Sequence, residues 1–277
     1  MQSLQQELWA LEGPRVQTHV GDLAWWGSMH VGREQEWKRH LWLDGDRCVA
    51  WAWLRLPAAL DYEVHREHRR GAVHRELLQW FEAEAEGGPL TTFAMEGDED
   101  WHAVLSERGY TRPDPYKWYA YHVQELDLPI AEPELPEGFT LRPLGGEEDL
   151  RERVEVHRAV WAPSRVTEES YRDVMRTWPY RADLDCVLEA PDETFAAYVL
   201  CWYDEDNGVG EFEPVGAHPD HRRRGFGTAV CRFALRRLQE AGGRQAIVYA
   251  ENEAARALYE SVGFHRHTRV VELRKER

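Results

Sequence analysis

Apolar and polar positions alternate with two different periods in the second half of the chain, and this predicts strands interleaved with helices. A continuous apolar run at 195–203 predicts a strand, and the turn sequence DEDNG at 204–208 joins it to a second strand as a hairpin. Apolar residues at helical spacing over 228–241 predict an amphipathic helix that ends at a glycine pair. Further predicted elements are a helix capped by Thr167, a strand at 246–250, a helix from Asn252 to about 262 and a strand at 270–273. Together they predict an α/β or α+β domain.

A proline-rich segment interrupts this pattern near the middle of the chain. Residues 128–138, LPIAEPELPEG, contain three prolines and three glutamates. Proline at that density excludes both a helix and a central strand, so the segment is predicted to be an extended linker. It would separate a first domain at 1–127 from a second domain at 139–277, and both pieces have a typical domain size.

The two halves repeat each other weakly. The pattern H-x-x-H-R-R occurs at 65–70 and again at 218–223, and a glycine-aromatic pair follows each copy, at 109–110 and 263–264. In both halves the order is an apolar strand, a basic loop, an amphipathic helix and the glycine-aromatic pair. The shared order predicts an internal duplication.

Composition excludes several classes of protein. Fifty acidic side chains against 34 basic ones give a formal charge of −16, which argues against a nucleic-acid partner. No run approaches the roughly 20 apolar residues of a membrane span. The four scattered cysteines and an amino-terminal sequence unlike a signal peptide favour a cytoplasmic protein with free thiols. Neither H-x-x-H sequence has a third ligand at suitable spacing, so we expect no metal site.

The segment richest in chemistry is RRRGFGT at 222–228, which follows a predicted strand and begins a helix. Glycines at 225 and 227 let the backbone approach a ligand closely, and the helix amino terminus offers unpaired N–H groups. Three arginines add positive charge, so the segment suits a pyrophosphate. A solvated basic turn without a ligand is the alternative. The spacing fits neither a P-loop nor the dinucleotide motif GxGxxG.

Two motifs in this half resemble those of the GNAT acetyltransferases. R-x-x-G-x-G at 222–227 is similar to that family's acetyl-CoA loop, and the sequence at 252–264 is similar to its closing helix, N-x-x-A-x-x-x-Y-x-x-x-G-F. The strand at 210–217 resembles the family's central strand. The resemblance implies two tandem GNAT-like domains, each a mixed, mostly antiparallel sheet flanked by helices, as in two-domain members of the mycothiol synthase type.

The same resemblance implies a site for acetyl-CoA in the second domain. The implied contacts are Val215, Gly216, Ala217, Arg222, Arg223, Arg224, Gly225, Phe226, Gly227, Thr228, Asn252, Ala255 and Tyr259. Pro214 lacks an N–H and would remove one ladder bond, so we expect a bulge where the sheet opens. The Val215 N–H is placed to polarise the acetyl carbonyl.

Acetyl transfer to an amine requires a base and an acid. An alkylamine of pKa ~10.4 is almost wholly ammonium at pH 7, so a buried carboxylate must accept its proton. Glu211 stands at the family's base position, and Glu213 is the alternative. Tyr259 stands at the position of the general acid, which would protonate the leaving thiolate. Solvated glutamates and a tyrosine that only packs the helix are the alternatives.

The corresponding loop of the first half departs from the motif. If Arg69 is placed on Arg222, Ala72 and His74 occupy the two glycine positions, and Leu105 occupies the tyrosine position. Side chains there should obstruct a cofactor, and leucine cannot donate a proton. We therefore expect a degenerate, non-catalytic first domain that is structural or helps to shape the acceptor site.

The expected activity is acetyl-CoA-dependent acetylation of a primary amine on a small molecule or peptide, by direct attack in a ternary complex. Trp161, Trp178 and Tyr180 are expected to contact the acceptor, and the acidic composition favours a cationic one. Two alternatives remain open: a non-catalytic acyl-CoA-binding or interaction protein, and mycothiol-synthase-like acetylation of a cysteinyl amino-sugar. The sequence is compatible with a monomer or a homodimer.

Overall fold

A computed structural model describes residues 1–29 and 31–277 of the chain. The strands of the described residues are β1 (Trp37–Asp44), β2 (Arg47–Arg55), β3 (Ala59–Val64), β4 (Leu90–Met95), β5 (Trp118–Glu125), β6 (Thr140–Pro143), β7 (Asp185–Glu189), β8 (Phe195–Asp204), β9 (Val209–Ala217), β10 (Gln245–Ala250) and β11 (His265–Lys275). The α-helices are α1 (Gln2–Glu12), α2 (Val20–Ser28), α3 (Ala72–Glu84), α4 (Glu99–Glu107), α5 (Leu150–Val160), α6 (Glu168–Arg176), α7 (Phe226–Glu240) and α8 (Glu253–Ser261).

The chain forms two compact units, and neither is a continuous stretch of sequence. The first unit contains Met1–His19, Gly32–Tyr121 and His267–Arg277, and the second contains Val20–Val31 and His122–Arg266. Helix α2 therefore belongs to the second unit, although it precedes most of the first one in sequence. The proposed linker and the division into domains at 128–138 stay predictions.

In the first unit, β1, β2 and β3 form an antiparallel meander, and β4 pairs antiparallel with the carboxyl-terminal part of β11. Strands β3 and β4 run parallel and pair at only two positions, Ala59 with Thr91 and Leu60 with Thr92. Beyond these pairs the two strands diverge. The core of this unit includes Leu54, Leu77 and Phe81, all of which are fully buried.

In the second unit, β6, β7, β8 and β9 form an antiparallel sheet, and β10 runs parallel to β9. Strands β9 and β10 pair from Val209 to Glu211 and then diverge, as β3 and β4 do in the first unit. Every residue of β8 is buried, because helix α7 covers one face of this strand and helices α2 and α5 cover the other. The predicted α/β class is confirmed.

The predicted elements of this half are present with small shifts at their ends. The hairpin consists of β8 and β9, and the predicted helix at 228–241 is α7, which begins two residues earlier because Phe226 already has a helical backbone. Thr167 caps α6, and its hydroxyl accepts a hydrogen bond from the Ser170 N–H at 3.1 Å. Strand β11 is longer than the predicted 270–273.

Candidate active site

The site is built around a bulge in β9. Glu211 is opposite Trp202 and Phe212 is opposite Cys201, but the next pair joins Val215 to Val199. The segment at 213–214 is therefore set against a single residue of β8, as expected from the missing N–H of proline. The prediction of a bulge at Pro214 is confirmed. The Trp202 indole donates to the displaced carbonyl of Glu213 at 2.6 Å.

Glu211 lies at the point where β9 and β10 diverge, and its side chain is 1% exposed. Burial raises the pKa of its carboxyl well above the usual value, and the charge of Glu213 raises it further. Asp22 acts in the opposite sense: its backbone N–H and its side chain both hydrogen-bond the Glu211 carboxyl and lower that pKa.

Asp22 comes from the first turn of α2, and no motif around it marks this role. It lies almost 190 residues before Glu211 and is 8% exposed. Gly21 makes the approach of α2 possible, because a Cβ at this position would lie 2.3 Å from the Cβ of Trp202.

Glu213 is half-buried on the bulge. Burial, followed by the negative charges of Asp22 and Glu251, raises the pKa of its carboxyl to about 8. The charge of Glu213 also raises the pKa of Glu211, so deprotonation of one group opposes deprotonation of the other. Both are therefore able to hold a proton near neutral pH, which an ordinary glutamate does not do.

Tyr259 lies on α8 and is 6% exposed. Burial raises the pKa of its phenol well above 10, with further contributions from Cys231 and Glu213. The ring packs against Phe264 at 5.9 Å between centroids. The hydroxyl thus stays protonated throughout the physiological range, as a proton donor must.

The arginine-glycine loop has the geometry expected of an anion site. Gly225, with φ +80°, is the left-handed residue before α7, and a Cβ there would meet no atom within 4 Å. The described residues provide no side-chain cap for this helix, so the N–H groups of its first turn point into open space. Arg222, Arg223 and Arg224 are all exposed beside it. These features fit a pyrophosphate.

Two residues of this motif have structural partners. Phe226 is buried, with its ring 4.6 Å from that of Phe139, so its main chain rather than its ring faces the loop. Gly227 lies under Leu258, because a Cβ there would be 3.2 Å from the nearer methyl of that side chain. Thr228 is half-buried in the first turn of α7.

Val215, Gly216 and Ala217 occupy the part of β9 that has left β10, and all three are partly exposed. Gly216 lets α5 approach, because a Cβ there would be 2.6 Å from Val160. Asn252 caps α8, and its side chain accepts from the Ala255 N–H at 3.0 Å. The N-x-x-A spacing is thus explained by a helix cap.

The three aromatic residues expected to contact an acceptor lie on the α5–α6 side of the second unit. Trp161 is 43% exposed, and its indole donates to the Tyr198 hydroxyl at 2.8 Å. Trp178 is 50% exposed. Tyr180 packs against Trp202 at 6.4 Å between ring centroids, and this places it near the strand position opposite Glu211.

A buried ion pair supports this side of the site. The Arg153 Nε donates to Asp185 at 2.9 Å, and both side chains are fully buried. The Tyr171 hydroxyl donates to the other carboxylate oxygen of Asp185 at 2.5 Å, and the Arg153 guanidinium lies 3.8 Å from the ring centre of Tyr198. Helices α5 and α6 are thereby fixed to β7 and β8.

The corresponding loop of the first unit differs in its bonding. Arg69 donates to Glu12 at 2.8 Å and lies over the Trp101 ring at 5.1 Å. Its guanidinium is therefore already bound by residues of its own unit. A cavity of about 470 Å³ beside it is lined by carboxylates, among them Asp98 and Asp100. An anionic ligand would be repelled there.

The structure corrects the alignment of the two loops by one residue. Helix α3 begins at Ala72, directly after Gly71, whereas α7 begins after Gly225. Gly71 therefore corresponds to Gly225, and Val73 rather than His74 corresponds to Gly227. The earlier placement was wrong because the first loop is one residue shorter. The side chain at the second glycine position still distinguishes the two loops.

The H-x-x-H sequences serve as caps. The Nδ1 atoms of His65 and His218 each accept from a backbone N–H two residues later, at the start of a short 3₁₀ turn. Among residues 1–29 and 31–277, no group of three His, Cys, Asp or Glu side chains is arranged to hold a metal ion. Within the same residues, no helix is long and apolar enough to cross a membrane.

Diverging parallel strands, an exposed arginine-glycine loop and buried glutamates of raised pKa occur together in the second unit, and comparison with known proteins identifies the class to which this arrangement belongs. The acetyltransferase (GNAT) family model matches residues 152–264. A mycothiol acetyltransferase of Amycolatopsis mediterranei is 30% identical over 74% of this chain and 71% of its own length. The chain belongs to the GNAT acetyltransferase family.

Other relatives extend the similarity along the chain. A mycothiol acetyltransferase of Streptomyces avermitilis is 29% identical over 249 residues, which are 85% of this chain and 79% of that protein. Among solved structures, a tandem GNAT protein from the clavulanic acid biosynthesis pathway superposes with a TM-score of 0.71 at 18% identity, over 99% of this chain and 93% of that one. A GCN5-related N-acetyltransferase from Sphaerobacter thermophilus gives a TM-score of 0.68 at 20% identity, over 99% and 91%. The expected tandem GNAT fold is confirmed.

Proposed function

We propose that the second unit transfers an acetyl group from acetyl-CoA to a primary amine by direct attack in a ternary complex. The observation that carries the proposal is a cluster of three carboxyl groups, those of Glu211, Asp22 and Glu213. The cluster lies where β9 and β10 diverge. Open main chain at 215–217 and the loop at 222–228 suit the pantetheine arm and the pyrophosphate of acetyl-CoA.

A raised pKa makes a glutamate of this cluster a useful base. Transfer of a proton from an ammonium of pKa ~10.4 to an ordinary glutamate of pKa ~4.3 is uphill by about 8 kcal/mol. For an acceptor of pKa about 8, the value for Glu213, the same transfer costs about 3 kcal/mol. We assign the role of the base to Glu211. Asp22 holds the Glu211 side chain in place, and the charge of Glu213 raises the pKa of Glu211.

The other steps use groups on the same strands and on α8. The Val215 N–H would polarise the acetyl carbonyl, and the protonated Tyr259 would donate to the departing thiolate. Glu211 takes the first proton from the ammonium, and Tyr259 protonates the departing thiolate. The second proton, lost by the nitrogen after its attack, returns to the Tyr259 phenolate, so the residue is restored and only the Glu211 proton remains to be released.

The acceptor is proposed from charge. The carboxyl groups of Asp22, Glu211, Glu213 and Glu251 crowd the site, and a cationic amine would relieve their mutual repulsion, which favours such an acceptor among small molecules or peptides. The names of the relatives favour an acceptor of the mycothiol series, a cysteinyl amino-sugar. Both are primary amines, so the same chemistry serves either.

The test is a thiol-release assay with acetyl-CoA and a panel containing a diamine, a monoamine of equal length and a cysteinyl amino-sugar. For whichever amine reacts, Glu211→Gln should lower kcat by about 10²–10⁴-fold, because the amide cannot accept a proton. Glu240→Gln, on the surface end of α7, is the matched control and should leave kcat unchanged.

Full activity of Glu211→Gln would remove Glu211 as the base. Acetyl-CoA binding without turnover on any amine would instead favour the non-catalytic acyl-CoA-binding alternative.

A further inference from the structure

Strand β1 forms one end of the sheet of the first unit, and it is a long strand with an open outer side. In residues 1–29 and 31–277, β2 is the one strand that pairs with it. Leu41 is 44% exposed and Leu43 is 59% exposed, and both are among the few large apolar side chains on the surface. An open edge strand of eight residues with exposed leucines is a template for pairing with another strand.

The backbone groups available on this edge can be assigned from the ladder. Leu56 donates to the Glu36 carbonyl at 2.9 Å, so the hydrogen-bonded pairs with β2 fall on even-numbered residues of β1. The N–H and C=O groups of Arg39, Leu41 and Leu43 therefore point away from β2. The edge therefore offers three alternate residues with outward donors and acceptors.

A second copy of β1 matches this edge when the two-fold axis passes through Leu41. In an antiparallel pair related by a two-fold axis normal to the sheet, residues of equal parity face each other. Leu41 then lies opposite Leu41 of the other copy, and Arg39 lies opposite Leu43. All the outward backbone groups of these three residues find partners, and the exposed leucines are covered.

Charge selects this register. With the axis at Leu41, Lys38 lies opposite Asp44 of the second copy, and by symmetry this ion pair forms twice. With the axis at His40, two histidines face each other and Asp44 meets Glu36, so like charges oppose. The Lys38 Nζ already contacts Glu84 and Glu86 of its own chain, each at 3.2 Å, so Asp44 of the second copy would join an existing cluster of charges.

We propose that the protein forms a two-fold homodimer through antiparallel pairing of β1, centred on Leu41. The occupant of this edge is a second copy of the chain, because the strand is complementary to itself in both backbone pattern and charge. The interface consists of residues 37–44 and is independent of the candidate active site.

Sedimentation velocity of the full-length chain over a hundredfold concentration range tests the proposal. A concentration-dependent dimer is expected, and Leu41→Glu should raise its dissociation constant by about tenfold or more, because two carboxylates would meet at the axis. Leu128→Glu, at a leucine that is 70% exposed outside β1, is the matched control and should leave the constant unchanged.

Cysteine cross-linking tests the register. Under mild oxidation Leu41→Cys should form a covalent dimer, because paired Cα atoms at the axis are about 5.5 Å apart. Leu43→Cys should not, since its two copies would lie four residues apart along the strands. A monomer at all concentrations, a dimer that survives Leu41→Glu, or equal cross-linking of both cysteine variants would overturn the proposal.

Discussion

At the scale of single residues, the chemistry of the site rests on carboxyl groups that are kept from ionising at their usual pH. Glu211 is buried, and Glu213 stands on a bulge that turns it toward Asp22 and Glu251. Each negative charge makes the next one harder to form. Glu213, with a pKa of about 8, therefore holds a proton at pH 7, and the pKa of Glu211 is raised well above its usual value.

This arrangement predicts the pH dependence of kcat. The base must be deprotonated to work, and the pKa of Glu211 is raised well above its usual value, so kcat should rise with pH on a limb that lies at higher pH than an ordinary glutamate would give. Glu213→Gln removes a charge that raises the pKa of Glu211. The rising limb should move to lower pH in this variant, while Glu240→Gln keeps the original profile.

A profile of kcat against pH from 5 to 10 makes the measurement. A limb that stays in place in Glu213→Gln would show that the two glutamates are not coupled. A limb that moves to higher pH would contradict the sign of the interaction.

Residues near each other in sequence were predictable, and the long-range partner was not. The anion loop, the bulge at Pro214 and the cap at Asn252 all come from local backbone requirements that glycine, proline and asparagine reveal. Asp22 could not be found in this way, because its partner lies in another part of the chain and its own neighbours carry no motif. The role of Tyr259 stays a prediction.

At the scale of elements, α2 is the helix that completes the site. It reaches β8 closely because Gly21 has no side chain, and its next residue is the partner of Glu211. The periodicity of the second half predicted β8, β9, α7 and α8, but it could not show that a helix from residues 20–28 packs beside them. Periodicity identifies an apolar face and leaves its partner unspecified.

The packing of α2 predicts an unusual result for Gly21→Ala. Alanine within a helix normally stabilises it by up to about 1 kcal/mol relative to glycine. Here the added methyl would overlap Trp202, so we expect a net loss of about 1–3 kcal/mol in the free energy of unfolding, together with lower kcat.

Urea denaturation with a parallel activity assay measures both effects. Gly97→Ala is the control, because a Cβ at Gly97 would meet no atom within 4 Å. An increase in stability of Gly21→Ala would contradict the close contact of α2 with β8.

At the scale of the whole molecule, the two units share a plan but differ in what their loops can bind. Both have parallel strands that diverge after two or three pairs, and both have a positive φ at corresponding arginines, Arg70 and Arg223. The duplication was visible in the sequence as a shared order of motifs. The exchange of segments between the units was not visible. Helix α2 belongs to the second unit and the end of β11 belongs to the first, although their positions in the sequence suggest the reverse. Experiments on the second unit therefore need the full chain, which supplies α2.

The most direct test of the account is a calorimetric titration of acetyl-CoA into the full-length protein. We predict one site per chain, with affinity lowered about tenfold by Arg223→Glu because the charge beside the pyrophosphate loop is reversed. Arg70→Glu reverses the equivalent exposed charge in the first unit and should leave the affinity unchanged. Two sites per chain, equal effects of the two variants, or no binding by folded protein would contradict the claim that the second unit is the acetyl-CoA-dependent one.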